Sequence, residues 1–588
     1  MKLTSVVTAA LLGLGTQATA SKSSADQCCR ALASSGIGDK LLYPGDSAYT
    51  TSVTSYWAVN VQLEPNCIIQ PESAHDVSIA VQTLTEVRGD SPCKFAVRSG
   101  GHMTWAGANN IETGVTIDLS HMNSTIYNKE AKTASILPGS RWEAVYKTLE
   151  EYAVVVPGGR TGPVGVGGFL LGGGNSFHAA RVGLACDNVV NYEVVLANGQ
   201  IVNANNVTNI DLFKALKGGF NNFGIVTKYD LKTIDNAHLW GGITVYDNST
   251  TNQQIAAITK FIDNIEHDRY ASWIGLWQYN STTKQTSISS PMDYTTPKAY
   301  SSAFNDFYKI PNISSTNRFA TLYNLTAELQ QAAGYRDVFL TSTYLNDALV
   351  LHKCIEILNT KINAAIPLAK GHDWSIMTII QPWPKLFWQQ NANNGVGNVL
   401  GLDRFDENMV QVLYDYSWDN SADDALFQRL CEEALAELDE YAKSIGKYNP
   451  YIYLNYADVT QNPLRGYGEE NVQFIRDVAM RYDPDGVFQT QVPGGFKGIF
   501  AAGVVYIPSL ALAKCSLIIL YYRIVSAQRC YRYALYAIAS IVIGYSIAIT
   551  FTLVFGCRPI SKAWDGALKV ACTDQNGLYA ADGGHEYS

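Results

Sequence analysis

Apolar and polar positions along this chain change their rhythm several times, and each change predicts a different element. Residues 75–88 place apolar side chains at helical spacing, and Phe95-Ala96-Val97 then opens into glycines, so a helix followed by a strand is expected. Residues 193–203 read as two strand-like runs about Asn198-Gly199, the dipeptide favoured in a type I′ turn, which predicts an antiparallel hairpin. Helix-like and strand-like patterns mix in this way over 71–235, and the hairpin disfavours a doubly wound parallel sheet. From 239 to 446 the pattern turns to short aromatic strands, as at 273–279 and 410–418, with long helices such as 423–445. Beyond that, 451–456 is strand-like, 469–482 is helical, and Asp483-Pro484-Asp485-Gly486 makes a turn.

Two later runs, 499–522 and 534–556, are apolar and long enough to cross a hydrocarbon core of ~30 Å, which takes ~20 helical residues. The second carries no charge, whereas the first holds Lys514, which costs ~2.5–3.5 kcal/mol on insertion scales. Arg523, Arg529 and Arg532 lie between them, so the positive-inside rule puts that loop in the cytosol and both flanks outside. At the other end, Met1-Lys2, an apolar stretch and Ala18-Thr19-Ala20 read as a secretory signal over 1–20. Sequons at Asn123, Asn206, Asn248, Asn280, Asn312 and Asn324 agree with an exported glycoprotein. In an oxidising compartment the early cluster Cys28, Cys29, Cys67 and Cys93 predicts one or two disulfides of unread pairing.

A chain of 588 residues with 47% apolar content is globular and large enough for several domains. Its net charge of −9 and its lack of clustered Lys and Arg before residue 500 argue against nucleic acid as a partner and point to a neutral or small substrate.

Candidate chemistry sits in two glycine-rich segments. Val97-Arg98-Ser99-Gly100-Gly101-His102 carries a strand into a turn whose backbone amides can approach a phosphate, with His102 beside it. A lone histidine there would be only a polar turn residue. The second segment runs from Val156 through Gly158, Gly159, Gly162, Gly165, Gly167 and Gly168 to Gly172-Gly173-Gly174. Glycine so dense costs ~0.5–1 kcal/mol per residue in regular structure, so the backbone is expected to pack against a flat or anionic ligand such as a dinucleotide. The interspersed Val164, Val166, Phe169, Leu170 and Leu171 argue against a flexible linker, and no acidic residue follows at the Rossmann spacing.

These motifs, with 183–189, 194–199, 218–226, Tyr453-Leu454-Asn455-Tyr456 and 481–488, resemble the berberine bridge enzyme-like FAD-linked oxidases of the vanillyl-alcohol oxidase and para-cresol methylhydroxylase (PCMH) superfamily. The resemblance implies an α+β fold: a two-subdomain PCMH-type FAD-binding domain over 60–238, an α+β substrate domain with an antiparallel sheet over 239–446, and a return segment over 447–497 that completes the FAD domain. It implies that His102 is bonded to the flavin 8α-methyl, and that Thr161, standing where many members have a second-link cysteine, leaves a single bond. Arg98, Ser99, Gly100, Gly101, Gly168, Gly173, Asn188, Ile225 and Asn455 fall on FAD-contact positions, and Val164 on a position where a small residue admits O₂.

Tyr456, with Tyr453 second, falls on the tyrosine that takes a substrate proton as hydride leaves for flavin N5. A free tyrosine titrates near pH 10, so a neighbouring cation or strong donor is required. The implied activity is an FAD oxidase acting on a hydroxyl-bearing carbohydrate or secondary metabolite and returning electrons to O₂ as H₂O₂. The alternatives are a flavin dehydrogenase or cyclising oxidase, and a membrane protein with a vestigial flavin ectodomain. Residues 513–523 and 555–572 resemble part of the fungal rhodopsin-domain membrane proteins, with two of their seven helices. Two transmembrane helices over 498–556 and a tail over 557–588 would thus anchor a lumenal or extracellular oxidase, with Cys557 and Cys572 placed to pair outside.

Overall fold

The computed structural model describes residues 25–87, 92–235, 238–390 and 395–493. The expected signal sequence, both expected spans and the Cys557 and Cys572 pair lie outside the described residues. Among the described residues no helix is long and apolar enough to cross a membrane.

Near the N-terminus, Ser73 caps the helix Ala74–Glu86 by accepting from the Asp76 amide, and Val77, Ala80, Val81 and Leu84 bury its inner face. That face covers a four-stranded sheet ordered Leu41–Leu42, Cys67–Ile69, Val115–Asp118, Phe95–Arg98, whose last three strands run parallel. Disulfides Cys28–Cys93 and Cys29–Cys67 enter the same core and complete the pairing that the sequence left open. Next to it, Thr125–Asn128, Thr133–Ile136, Ile225–Lys232, Val189–Val195 and Ile201–Asn205 form an antiparallel five-stranded sheet.

The expected 193–203 hairpin is present, with Val195 opposite Ile201, but its turn is not type I′. That turn needs positive φ at both central residues, and only Gly199 has it, at +78°. The five-residue loop instead closes through Leu196 N–H to Gln200 O and Gly199 N–H to Leu196 O, both 2.9 Å, while Ser78 Oγ donates to Gly199 O at 2.6 Å. A contact to the neighbouring helix thus helps select the turn.

The larger sheet has ten strands among the described residues. Its centre runs Gly275–Asn280, Trp374–Trp383, Met409–Trp418, Arg336–Leu345, all antiparallel. The predicted strand 273–279 is two, Ala271–Trp273 and Gly275–Asn280, interrupted at Ile274. Helices Ala348–Ala365 and Asp424–Ser444 cover one face. The other face packs Ile274, Phe339, Met377, Ile379 and Leu413 against Tyr56, Trp57, Ala58 and Val61 from the N-terminal part of the chain.

The strand-like reading of 451–456 is corrected: only Tyr448–Asn449 joins the sheet, and Leu454–Tyr456 is a 3₁₀ turn. Leaving the sheet aims the motif tyrosines inward rather than alternating them across two faces. The chain then returns to the first core. Helix Glu469–Tyr482 lies on helix Ile210–Leu216, Asp483 accepts from the amides of Val487 and Phe488, and Phe488 meets Phe95 edge-on at 6.2 Å.

Candidate active site

The two glycine segments meet backbone to backbone. A Cβ on Gly100 would lie 2.4 Å from Gly165 N, and one on Gly165 would lie 2.3 Å from Gly100 N, so neither position has room for a side chain. Ser99 Oγ secures the junction by donating to Pro138 O and accepting from Gly167 N–H at 3.1 Å. Beside them opens a cavity of about 1740 Å³, including the solvent at its mouth, which runs on to the apolar face of the large sheet.

Ser99, Gly100, Gly101, His102, Val164, Gly168, Ile225, Tyr453, Asn455 and Tyr456 all line this cavity, although they come from distant parts of the chain. Gly173 and Asn188 stand behind its wall. Asn188 Nδ2 donates to Val182 O and Leu184 O, both at 3.0 Å. Arg98 also faces away: it donates to Ser52 O and Ser55 Oγ at 2.7 Å, lies 3.6 Å from Asp118 and covers the Tyr56 ring. Its work in this structure is to brace the strand that delivers the glycine turn.

His102 stacks on Trp57, with centroids 4.5 Å apart and planes 9° from parallel. Burial, reinforced by the Arg141 charge, pushes its imidazole down to about 4, so the ring is neutral at neutral pH and keeps a nucleophilic nitrogen. Asn455 Nδ2 donates to Gly168 O at 3.2 Å and Phe169 O at 3.1 Å, which pins the second glycine segment. Its Oδ1, like that of Asn109, which also lines the cavity, is buried without a partner among the described residues. Two unpaired acceptors in a glycine-walled cavity suit a large ligand that presents N–H and O–H donors. These residues fit FAD.

The two candidate tyrosines differ. Tyr453 OH accepts from Asn175 N–H at 2.8 Å and ties down the loop after the glycines, and burial, then the neighbouring Tyr456, pushes its phenol well above the ordinary range. Tyr456 OH accepts from Arg160 Nη2 at 3.2 Å, and the same guanidinium nitrogen donates to Gln381 Oε1. Charge developing on the Tyr456 oxygen therefore faces a fixed cation, the neighbour the sequence could not show. Arg160 and Gln381 were missed. A single arginine inside an otherwise uncharged glycine segment was a usable signal for the first, whereas Gln381 sits in an ordinary strand and gave none.

The remaining cavity wall is the apolar sheet face, with Ile274, Leu276, Phe339, Ile379 and Leu413. Asp415 and Gln331 interrupt it.

With the geometry in view, comparisons place the chain among known proteins. The FAD binding domain family matches residues 65–205, and the fungal rhodopsin domain family matches 479–587. FAD-dependent monooxygenase sdcF of Emericella nidulans is 53% identical over 472 residues, spanning 80% of this chain and 98% of its own. FAD-dependent monooxygenase drtC of Aspergillus calidoustus is 43% identical over 472 residues, spanning 80% and 90%. Among solved structures, berberine bridge enzyme (Eschscholzia californica crystals among them) aligns with TM-scores of 0.63–0.65 at 16–17% identity, over 80% of this chain and 99–100% of the other. The 6-hydroxy-D-nicotine oxidase of Arthrobacter nicotinovorans aligns with a TM-score of 0.63 at 19% identity, over 77% and 97%. At such identities the structural likeness speaks for the fold.

Proposed function

This chain belongs to the family of FAD-linked oxidoreductases that the fungal FAD-dependent monooxygenases form, and from that premise we propose that it oxidises an apolar, hydroxyl-bearing small molecule at a singly tethered flavin and passes the electrons to O₂. The observation that carries this reading is one cavity that joins the neutral His102 and the glycine junction to the Arg160 and Tyr456 pair on the sheet face.

FAD, when bound, supplies the hydride acceptor and the route to O₂. The chain does the rest. His102, held in orientation by Trp57, would carry the bond to the 8α-methyl. Asn455 fixes the glycine segment and offers Oδ1 to the cofactor. Tyr456 takes the proton of the substrate hydroxyl, and Arg160 holds the charge that this leaves on the phenol oxygen. Val164 keeps one wall small where O₂ must approach. The slot of Ile274, Leu276, Phe339, Ile379 and Leu413 favours a flat apolar skeleton over a carbohydrate, whose many hydroxyls would be stripped of water without partners there. The C-terminal match to the fungal rhodopsin domain supports anchoring through 499–522 and 534–556, and the arginines between those runs favour a lumenal or extracellular flavin unit.

The oxidase step can be tested without knowing the substrate. Dithionite-reduced protein mixed with aerated buffer is expected to reoxidise promptly with one H₂O₂ per flavin, and Val164→Leu to slow this. Reoxidation no faster than that of free flavin, with Val164→Leu unchanged, would favour the dehydrogenase reading. The names of the relatives favour a second reading, in which one oxygen atom enters the product. Label from ¹⁸O₂ found in product, with H₂O₂ below stoichiometry, would establish it.

A further inference from the structure

The sequons of the chain divide into two groups once the fold is known. Asn123, Asn206 and Asn312 are exposed, and so is the middle residue of each of these tripeptides. Asn248 and Asn280 are half-buried, and behind Asn324 both Leu325 and Thr326 are buried. The first group shares a second property. Asn123 lies two residues before the strand Thr125–Asn128, Asn206 directly follows Ile201–Asn205, and Asn312 lies two residues before Ser314–Ser315. The first two of these strands are the two edges of the five-stranded sheet, and Ser314–Ser315 is an edge of the ten-stranded one. Asn248 and Asn280 instead stand at the ends of strands paired on both sides, and Asn324 lies within the helix Leu322–Glu328.

An edge strand offers unpaired N–H and C=O groups on which another chain can pair, and proteins blunt it with a lysine, a proline or a covering segment. Thr125–Asn128, Ile201–Asn205 and Ser314–Ser315 contain neither a charge nor a proline. They also carry apolar side chains into solvent: Ile126 is 66% exposed, Ile201 43% and Ile313, beside Ser314–Ser315, 66%. Phe319, 56% exposed, continues that edge in Arg318–Thr321, whose one charge, Arg318, is paired with Glu328. Among the described residues, Ile126, Ile201 and Phe319 are the exposed large apolar side chains that belong to strands, and all of them are on edges. Ile126, Ile201 and Ile313 stand three, five and one residues from their sequon asparagines, so at ~3.3 Å per residue each lies within about 17 Å. The far edge of the large sheet, Tyr448–Asn449, has no sequon and no exposed apolar side chain. There Gln461 covers the next backbone, accepting from Thr341 N–H at 3.1 Å and donating to Thr341 O at 2.7 Å.

We propose that Asn123, Asn206 and Asn312 carry N-linked glycans, and that these glycans cover the three open sheet edges and keep the chain from pairing with further copies of itself. At each site Nδ2 forms a bond to C1 of the first N-acetylglucosamine, and the bond from that carbon to the pyrophosphate of a lipid-linked oligosaccharide breaks. The amide gives up one proton to solvent and keeps one N–H. Asn123 Nδ2 donates to Ser120 O at 2.9 Å, and the N–H that remains after glycosylation can keep that bond. A bulky, hydrated group at the end of each edge takes the place of the missing lysine or proline. This inference rests on the export reading of residues 1–20 and is independent of the flavin site.

The test uses the full-length chain made in a glycosylating yeast and purified in detergent. Endoglycosidase H leaves one N-acetylglucosamine on each modified asparagine, and peptide mass spectrometry is expected to find it at Asn123, Asn206 and Asn312. Replacing these together, Asn123→Gln, Asn206→Gln and Asn312→Gln, should cost the monomer: light scattering should show its peak lost to larger species. Asn248→Gln, Asn280→Gln and Asn324→Gln together should leave that peak in place. Adding Ile126→Lys, Ile201→Lys and Ile313→Lys to the edge variant should restore the monomer, a rescue that a misfolded chain would not show. An edge variant that stays monomeric, or that the lysines fail to rescue, overturns the inference, as does glycan confined to Asn248, Asn280 or Asn324. Absence of glycan at every sequon overturns it together with the export reading, and the flavin reading is decided separately by the absorption of the same sample.

Discussion

Tyr456 and Arg160 show what a residue pair separated by 296 positions can and cannot reveal in a sequence. The Tyr-x-Asn-Tyr motif marked Tyr456, yet nothing nearby in the chain could name the cation beside it, because that contact exists only once the glycine segment and the return segment close on one cavity. Tyr456→Phe is expected to lower turnover by about 10²–10⁴, the usual worth of a positioned base, with flavin content unchanged. Arg160→Met should fall in the same direction, and stopped-flow bleaching of the flavin by substrate measures both. His178 belongs to this scale too. Its ring is buried with neither nitrogen paired among the described residues, and burial, then the Arg181 charge, pushes it down to about 3. A histidine depressed in the folded state contributes stability that is complete above its free value of 6.5 and is lost as pH falls through the folded one. Melting temperature should therefore fall as pH drops from about 6.5 toward 4, and His178→Phe should flatten that acid limb without abolishing it.

At the scale of elements, long periodic segments were legible and short constrained ones were not. Helix Glu469–Tyr482 begins and ends where its pattern predicted, and strand Met409–Trp418 and helix Asp424–Ser444 lie within a residue of theirs, because burial on one face writes itself into the spacing. The hairpin turn at Gly199 departs from its dipeptide signal because Ser78 and the helix bearing it hold the loop from outside. The stretch 451–456 looked like a strand because its aromatic residues suit a sheet, but they are aromatic to line a cavity and to pack on Trp383 and Phe339. The glycine junction gives a paired prediction. Gly165→Ala drives a Cβ into Gly100 backbone and should lower both melting temperature and flavin content, with a cost of about 1–3 kcal/mol for overpacking. At Gly168 an added Cβ meets only Phe220, at 3.9 Å, so Gly168→Ala should keep the melting temperature and lose flavin alone. Thermal melts and the flavin-to-protein absorbance ratio separate the two cases.

For the whole molecule, the cavity exists because two differently built parts share it. Disulfides and a mostly parallel sheet secure the core behind the glycine turn, and the wide antiparallel sheet supplies an apolar wall facing it. Motif order along the chain made the first part and its cofactor readable. The second part carries no motif, and its chemistry emerges from register: which residues of Met409–Trp418, Trp374–Trp383 and Arg336–Leu345 stand opposite one another decides which side chains meet on the cavity face. Pairing across strands distant in sequence is the information that a single chain read by periodicity does not contain. The central claim is that this cavity holds FAD bonded once, through His102. The direct measurement is acid precipitation of the purified chain, followed by its flavin absorption and by mass spectrometry of the peptide spanning His102. Yellow colour that stays with the precipitate, a flavin mass on His102 alone, and colour released by His102→Ala are the predicted results; flavin that washes out of the wild type, or that remains after His102→Ala, would contradict the account.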